Sequence, residues 1–347
     1  MDKIINVGIA GFGMSGQIFQ APFLDYDKHF VIKKVYERST SISKEQYPYI
    51  EVVRSFEELF GEEIDIVVIS TPNAQHFQMA KQALGAGKHV IVEKPVSATV
   101  EEAEELMALA KEKGVLFSVY QNRRFDGNFL TVKKIVEDGR LGKIVDYTVH
   151  FDTFATGISK KAWKAAGGKG VGKLYDLGVH LIDQVYSLFG MPLEVYADIR
   201  SEREESKADD NFQVLLYYAD KKIDVCASEL VLEKGPQVAV HGTKGSFVKY
   251  GMDPQERALI CGEKPGSEGF GVDEEENWGV LHTKVDEVEK REKIPTETGF
   301  YGYFYDNIYQ VLIEGAELIV KPEQSRDVLR IIEAAIQSKE EKRRITL

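Results

Sequence analysis

Short runs of consecutive apolar residues alternate with stretches of helical periodicity through the first third of the chain. The run at 4–10 ends in glycines, as expected of a strand that is buried on both faces of a parallel sheet. Similar β-branched runs recur at 30–36, 64–70, 89–92 and 116–120. This alternation of strand and helix predicts a doubly wound parallel sheet.

The pattern changes after Arg124, where a helix is predicted at 175–189 and strand-like runs then follow one another. These runs lie at 195–200, 212–218, 223–232, 237–242 and 246–250. Consecutive strands suit an antiparallel or mixed sheet that helices cover on one face. The predicted fold class is therefore α/β, with an N-terminal Rossmann domain at 1–122 and a C-terminal α+β domain at 123–347 that carries a large open mixed or antiparallel sheet.

Charge and cysteine content exclude several classes of partner. With 56 acidic and 44 basic residues the net charge is -12, which repels nucleic acid and anionic membranes. No apolar stretch approaches the ~20 residues of a membrane span, and residues 1–10 do not form a signal peptide. Cys226 and Cys261 lack the spacing of a zinc site and are expected to be reduced thiols. We therefore expect a cytoplasmic protein whose partner is a small molecule.

A glycine motif of the form G-x-G-x-x-G lies between the first predicted strand and the helix after it. The first glycine permits a tight turn, the second lets a pyrophosphate approach the backbone, and the third lets helix and strand pack closely. The motif therefore predicts dinucleotide binding. Its residues are Gly11, Phe12, Gly13, Met14, Ser15 and Gly16.

The end of the second predicted strand carries opposing signals for the adenosine half of such a cofactor. Glu37 is placed to accept hydrogen bonds from ribose hydroxyls, which favours NAD. Arg38 and Ser39 follow it directly and are suited to the 2′-phosphate of NADP. The residues alone leave the choice between NAD and NADP open.

Two further strand ends are expected to face the same crevice, because ligands of parallel sheets bind at the carboxyl ends of the strands. Thr71, Pro72 and Asn73 follow the strand at 64–70, and Glu93 and Lys94 end the strand at 89–92. A lysine there can donate a hydrogen bond to a substrate hydroxyl and stabilise the alkoxide that forms as hydride leaves.

A third group of candidates lies on the helix predicted at 175–189. Asp176, His180 and Asp183 are spaced by four and three residues, so they share one helical face. His180 has a suitable ordinary pKa to take a hydroxyl proton near neutral pH, and Asp176 can orient its ring or bind a second hydroxyl. Because no fourth ligand motif accompanies them, no metal site is predicted.

These motifs in this order resemble the Gfo/Idh/MocA family of oxidoreductases over nearly the whole chain. Further stretches, at 120–126 and 242–251, resemble the branch that contains the NADP-preferring scyllo-inositol dehydrogenases. That branch often carries a small polar residue where Glu37 stands, so NAD use stays open beside NADP.

The resemblance implies a hydride transfer between NAD(P) and a hydroxyl-bearing carbon of a sugar, an inositol or a related polyol. Lys94, Asp176 and His180 would form the catalytic set, and His76 would lie on the cofactor side. Asn122, Arg123 and Trp163 would lie near the substrate, although an arginine here equally suits a structural ion pair. The resemblance also implies a homodimer or homotetramer formed through the C-terminal sheet.

Two other functions remain open for a chain of this kind. A non-catalytic NAD(P) sensor could use the same fold to regulate a protein partner, although it has no need of the Lys94 and His180 proton relay. A reductase of a non-sugar substrate, similar to the biliverdin reductases, is the other alternative.

Overall fold

The computed structural model describes residues 3–157, 170–204 and 206–347, and these form two compact units. The first unit contains the chain up to Phe125 together with Gln255–Phe270 and Phe300–Arg326. The second contains Asp126–Pro254, Gly271–Gly299 and Asp327–Leu347. The first crossing between units thus comes just after the predicted limit at residue 122. The two later returns into the first unit have no counterpart in the prediction.

The elements are numbered in chain order over the described residues. The strands are β1 (Ile5–Ala10), β2 (Phe30–Tyr36), β3 (Glu51–Val53), β4 (Ile66–Ile69), β5 (His89–Glu93), β6 (Phe117–Tyr120), β7 (Ile144–His150), β8 (Glu194–Arg200), β9 (Asn211–Tyr217), β10 (Lys222–Ser228), β11 (Val238–Gly242), β12 (Gly245–Lys249), β13 (Gly279–Val285), β14 (Val288–Ile294) and β15 (Ile345–Thr346). The α-helices are α1 (Ala21–Tyr26), α2 (Ile42–Gln46), α3 (Asn73–Gly85), α4 (Val100–Lys113), α5 (Gly127–Glu137), α6 (Val179–Phe189), α7 (Gln255–Ile260), α8 (Tyr303–Tyr309) and α9 (Pro322–Glu341). Shorter 3-10 turns lie at Phe56–Phe60, Asn122–Phe125 and Glu275–Asn277, and π-helical segments at Ser15–Gln20, Leu174–Gly178 and Gln310–Glu314.

Within its described residues, the first unit holds a parallel sheet of six strands in the order β3-β2-β1-β4-β5-β6. This is the strand order of the Rossmann fold, and the direction of winding reverses between β1 and β4. The predicted doubly wound sheet is confirmed. The sequence pattern missed β3, because a strand of three residues is too short to show a periodicity.

The returning segments supply aromatic side chains to the core of the first unit. Tyr301, Phe304 and Tyr305 are almost completely buried with the strand residues Ile9 and Val68. Burying a side chain of this size stabilises a fold by about 1.5–3 kcal/mol. Removing the segment would therefore leave the N-terminal sheet without part of its core, which explains why the chain comes back.

The second unit has, among its described residues, a sheet of nine strands in the order β14-β13-β12-β11-β7-β10-β9-β8-β15. Its pairs are antiparallel apart from β7 with β10, so the predicted open mixed sheet is confirmed. Side chains alternate along β8, where Val195 and Ala197 are buried and Tyr196 is exposed. On the buried face, Tyr147 of β7 packs edge-on against Phe189 of α6, with ring centroids 6.3 Å apart. Helices thus cover one face.

Candidate functional site

The glycine turn after β1 passes close to the end of β4. Gly11 has φ +89°, and a Cβ atom there would lie 3.0 Å from the Ser70 carbonyl oxygen. A Cβ atom on Gly16 would lie 2.8 Å from the Gly11 carbonyl oxygen. The chain itself therefore requires the first and third glycines of the motif, as predicted for a tight turn with close packing.

Gly13 has a different reason to be a glycine. A Cβ atom at this position would meet no atom of the described chain within 4 Å, so internal packing does not require Gly13. The open space lies at the start of the π-helical segment Ser15–Gln20, whose amides and dipole favour an anion. The turn therefore fits the pyrophosphate of a dinucleotide. Phe12 of the motif is buried, whereas Met14 is exposed.

Glu37 is buried, and its carboxylate accepts hydrogen bonds from its own loop. The amides of Ile42 and Ser43 donate to it at 3.0 and 2.9 Å, and the hydroxyls of Thr40 and Ser43 also donate to it. A carboxylate has about four lone-pair sites, so these four donors fill it. Burial raises the pKa of Glu37, but the hydrogen bonds outweigh burial and hold the pKa below its ordinary value. The carboxylate therefore organises the loop at 38–43.

A second side chain, Arg54, also stabilises the loop at 38–43 through hydrogen bonds. Its guanidinium donates to the Glu37 carbonyl at 2.7 Å, to the Thr40 carbonyl, and to the Ser41 hydroxyl at 2.7 Å. Arg38 and Ser39 are exposed on this loop. Sequence reasoning missed Arg54, because it lies outside every motif and acts only through the folded loop.

Glu93, at the end of β5, joins the glycine turn to the lysine that follows it. The Ser15 hydroxyl and the Gln20 amide donate to one carboxylate oxygen, the latter at 2.6 Å. The Lys94 amide donates to the other oxygen at 3.2 Å. Tyr305 in turn donates its hydroxyl to Gln20. Gln20 and Tyr305 were missed by sequence reasoning, since neither belongs to a motif.

Thr71 and Pro72 form the turn between β4 and α3, and Asn73 begins α3, beside the glycine turn in the first unit. His76 on α3 is completely buried and bonds both this turn and the turn after β5. Its Nδ1 atom lies 2.8 Å from the Pro95 carbonyl oxygen, and its Nε2 atom lies 2.8 Å from the Thr71 carbonyl oxygen. The predicted cofactor-side residues of β1, β4 and β5 thus lie along one edge of this sheet.

Asn122 and Arg123 are buried in the 3-10 turn after β6. The Arg123 guanidinium donates to the Tyr301 hydroxyl at 3.1 Å and pairs with the Glu256 carboxylate. These contacts favour the ion-pairing role that its sequence position also allowed. Trp163 lies outside the described residues.

The helix that carries Asp176, His180 and Asp183 belongs to the second unit and begins as a π segment. Asp176 lies in the π segment Leu174–Gly178, and the other two lie on α6. A π turn takes up more residues than an α turn and is common at functional sites. His180 and Asp183 are buried, whereas the Asp176 side chain is 30% exposed, with the Lys173 ammonium 3.9 Å from its carboxylate.

The described part of the chain holds neither a cluster of metal-ligating side chains nor a membrane-spanning helix. There, no group of three His, Cys, Asp or Glu side chains is arranged to hold a metal ion. Nor does any helix in that part have the length and apolar character needed to cross a bilayer.

Comparison with known proteins shows similarity along the whole chain. Two sequence models match, described as the oxidoreductase family's NAD-binding Rossmann fold at residues 5–121 and its C-terminal alpha/beta domain at 133–347. The scyllo-inositol 2-dehydrogenase (NADP(+)) IolW of Bacillus subtilis is 41% identical over 344 residues, which is 99% of this chain and 96% of that protein. The oxidoreductase YhhX of Escherichia coli is 40% identical, over 95% of each chain. The solved structure of YvaA from B. subtilis matches with a TM-score of 0.97 and 40% identity, covering 100% of this chain and 99% of that one.

Proposed function

Since the chain belongs to the Gfo/Idh/MocA oxidoreductase family, we propose that it transfers a hydride between NAD(P) and a hydroxyl-bearing carbon of a sugar, an inositol or a related polyol. The observation that supports NAD(P) binding is the open space at Gly13, where a Cβ atom would meet no described atom. This turn lies where the direction of winding reverses between β1 and β4. The proposal of a polyol substrate is supported by the similarity to a scyllo-inositol 2-dehydrogenase.

We assign the proton chemistry to Lys94, Asp176 and His180. When bound, NAD(P) accepts or supplies the hydride. The Lys94 ammonium donates a hydrogen bond to the substrate oxygen and stabilises the alkoxide, while the His180 imidazole takes the hydroxyl proton. Asp176 orients the imidazole or binds a second hydroxyl. We propose Asn122 and Trp163 as further substrate contacts, with Arg123 supporting this region through its pair with Glu256.

We propose NADP rather than NAD as the preferred cofactor. The Glu37 carboxylate that would favour NAD is occupied by four donors of its own loop. The same loop carries the exposed Arg38 and Ser39, which suit a 2′-phosphate. The name of the B. subtilis relative also specifies NADP(+).

We further propose a homodimer or homotetramer formed through the open face of the C-terminal sheet. Tyr196 and Leu215 are cross-strand partners on that face, and they place apolar surface among its charged side chains. Sedimentation of the purified chain measures the assembly, and a monomer at micromolar concentration would contradict it. The cytoplasmic location stays a prediction from the sequence.

The test of the proposed activity is a panel of inositols, aldoses and their lactones, each assayed with NAD and NADP by the absorbance of the reduced nicotinamide. We expect turnover with at least one polyol. Lys94→Ala and His180→Ala should each lower turnover by about a thousandfold or more with little change in cofactor affinity. Lys81→Ala, whose ammonium pairs with Glu105 on the surface, is the matched control.

Near-normal turnover in the Lys94 or His180 variant would refute the assignment of the catalytic set. Cofactor binding without turnover across the panel would instead favour the sensor function. Activity on aromatic compounds and none on sugars would favour the reductase of a non-sugar substrate.

A further inference from the structure

Lys94 follows β5 directly, and its backbone is held from two sides. On one side its amide donates to Glu93, whose carboxylate is fixed by Ser15 and Gln20. On the other side, the carbonyl of the next residue, Pro95, contacts the buried ring of His76. Any residue that fixes this short turn also fixes where the Lys94 side chain begins.

The His76 ring lies between two groups that can only accept hydrogen bonds. The carbonyl oxygens of Pro95 and Thr71 are each 2.8 Å from a ring nitrogen. The doubly protonated ring donates to both carbonyls, whereas a neutral ring donates to one. Burial has the largest effect and holds the pKa of His76 below its ordinary value, although the two carbonyls and the Glu93 carboxylate raise it.

The two turns that His76 contacts follow adjacent parallel strands. β4 and β5 pair directly, with Ile69 opposite Val92, so the turns begin side by side at the carboxyl edge of the sheet. His76 is completely buried, which leaves no room for its ring to adopt another position at low cost. The ring is thus a rigid connection between the turn at Thr71 and the turn that carries Lys94.

We propose that His76 is a positioning residue for Lys94, which holds the turn after β5 against the turn after β4 through its two ring nitrogens. This inference rests on the catalytic role proposed above for Lys94. It differs from a direct cofactor contact, because the ring nitrogens already face backbone carbonyls. A catalytic defect at His76 should therefore depend on the presence of the Lys94 side chain.

The test is a double-mutant cycle on His76 and Lys94, measured with the substrate and cofactor that the panel identifies. His76→Leu removes both ring nitrogens, and His76→Gln keeps an amide donor. We expect kcat to fall about tenfold or more in His76→Leu and less in His76→Gln, with the cofactor Kd from fluorescence titration changing less than about threefold. In the Lys94→Ala background, His76→Leu should change the remaining turnover by less than about twofold.

Equal fold losses with and without the Lys94 side chain would overturn the inference, as would an unchanged kcat in His76→Leu. Gln78→Leu, an exposed position on the same helix, is the matched control. Should the leucine variant not fold, the glutamine variant serves in the same cycle. Normal turnover in Lys94→Ala overturns the catalytic role proposed for Lys94 and this inference with it. Loss of turnover in Lys94→Ala beside normal turnover in the His76 variants overturns this inference alone.

Discussion

Replacing Glu37 by serine distinguishes two roles of that carboxylate that predict opposite effects on NADP. If the carboxylate faces the cofactor, its charge repels the 2′-phosphate and its removal improves NADP use. If it organises the loop, as its four donors indicate, its removal loosens Arg38 and Ser39 and weakens NADP use. The sign of the change therefore decides between them.

The magnitudes of the two effects are large enough to measure. A hydrogen bond to a charged group contributes about 1.5–3 kcal/mol, and Glu37→Ser leaves the amides of Ile42 and Ser43 without this acceptor. Loss of one charge-assisted contact to the 2′-phosphate then lowers kcat/KM for NADP by about 10- to 100-fold. Relief of repulsion between charges at about 4 Å would instead gain about 1–4 kcal/mol.

The assay compares initial rates and fluorescence titrations with NADP and NAD. We expect kcat/KM for NADP to fall by about 10- to 100-fold in Glu37→Ser and that for NAD to change by less than about threefold. Arg54→Met should act in the same direction, because it releases the same loop without altering the carboxylate. Glu45→Ser removes an exposed charge from α2 and is the control. A gain in NADP use on replacing Glu37 would refute the reasoning.

Two further predictions concern stability. In the second unit Lys249 is completely buried and donates to Asp273 at 2.6 Å, so Lys249→Met should lower the free energy of unfolding by about 3–5 kcal/mol; an unchanged midpoint in urea would contradict this. In the first unit, desolvation of the Asp306 carboxyl and the neighbouring Asp27 raise the pKa of Asp306 to about 6. Protonation of Asp306 therefore stabilises the fold at low pH, and this contribution is lost as pH rises through 6. Asp306→Asn should raise Tm above pH 6.5, by the equivalent of less than about 1 kcal/mol because the side chain is exposed to solvent, and leave Tm unchanged near pH 4.

The parts of the fold that are local in sequence could be predicted, and those that depend on distant partners could not. The predicted run at 64–70 contains β4, because a buried parallel strand is apolar along its length. The hairpin of β13 and β14 was not predicted, since its second strand, Val288–Ile294, is mostly exposed and charged. The return of Tyr301 and Tyr305 to the first unit has no sequence signal, because a helical pattern does not specify the sheet against which it packs.

The same limit applies to the chemistry of the candidate cofactor edge. Glu37 follows β2 and Glu93 ends β5, and sequence reasoning treats an acidic residue at such a position as a ligand contact. In the fold each carboxylate accepts hydrogen bonds from the protein, Glu37 from its own loop and Glu93 from Ser15 and Gln20. Each acidic residue is also followed directly by a basic one, Arg38 or Lys94. Salt screens charges that lie more than about 8 Å away. An anionic cofactor at this edge therefore interacts more strongly with these nearby groups than with the net charge of -12.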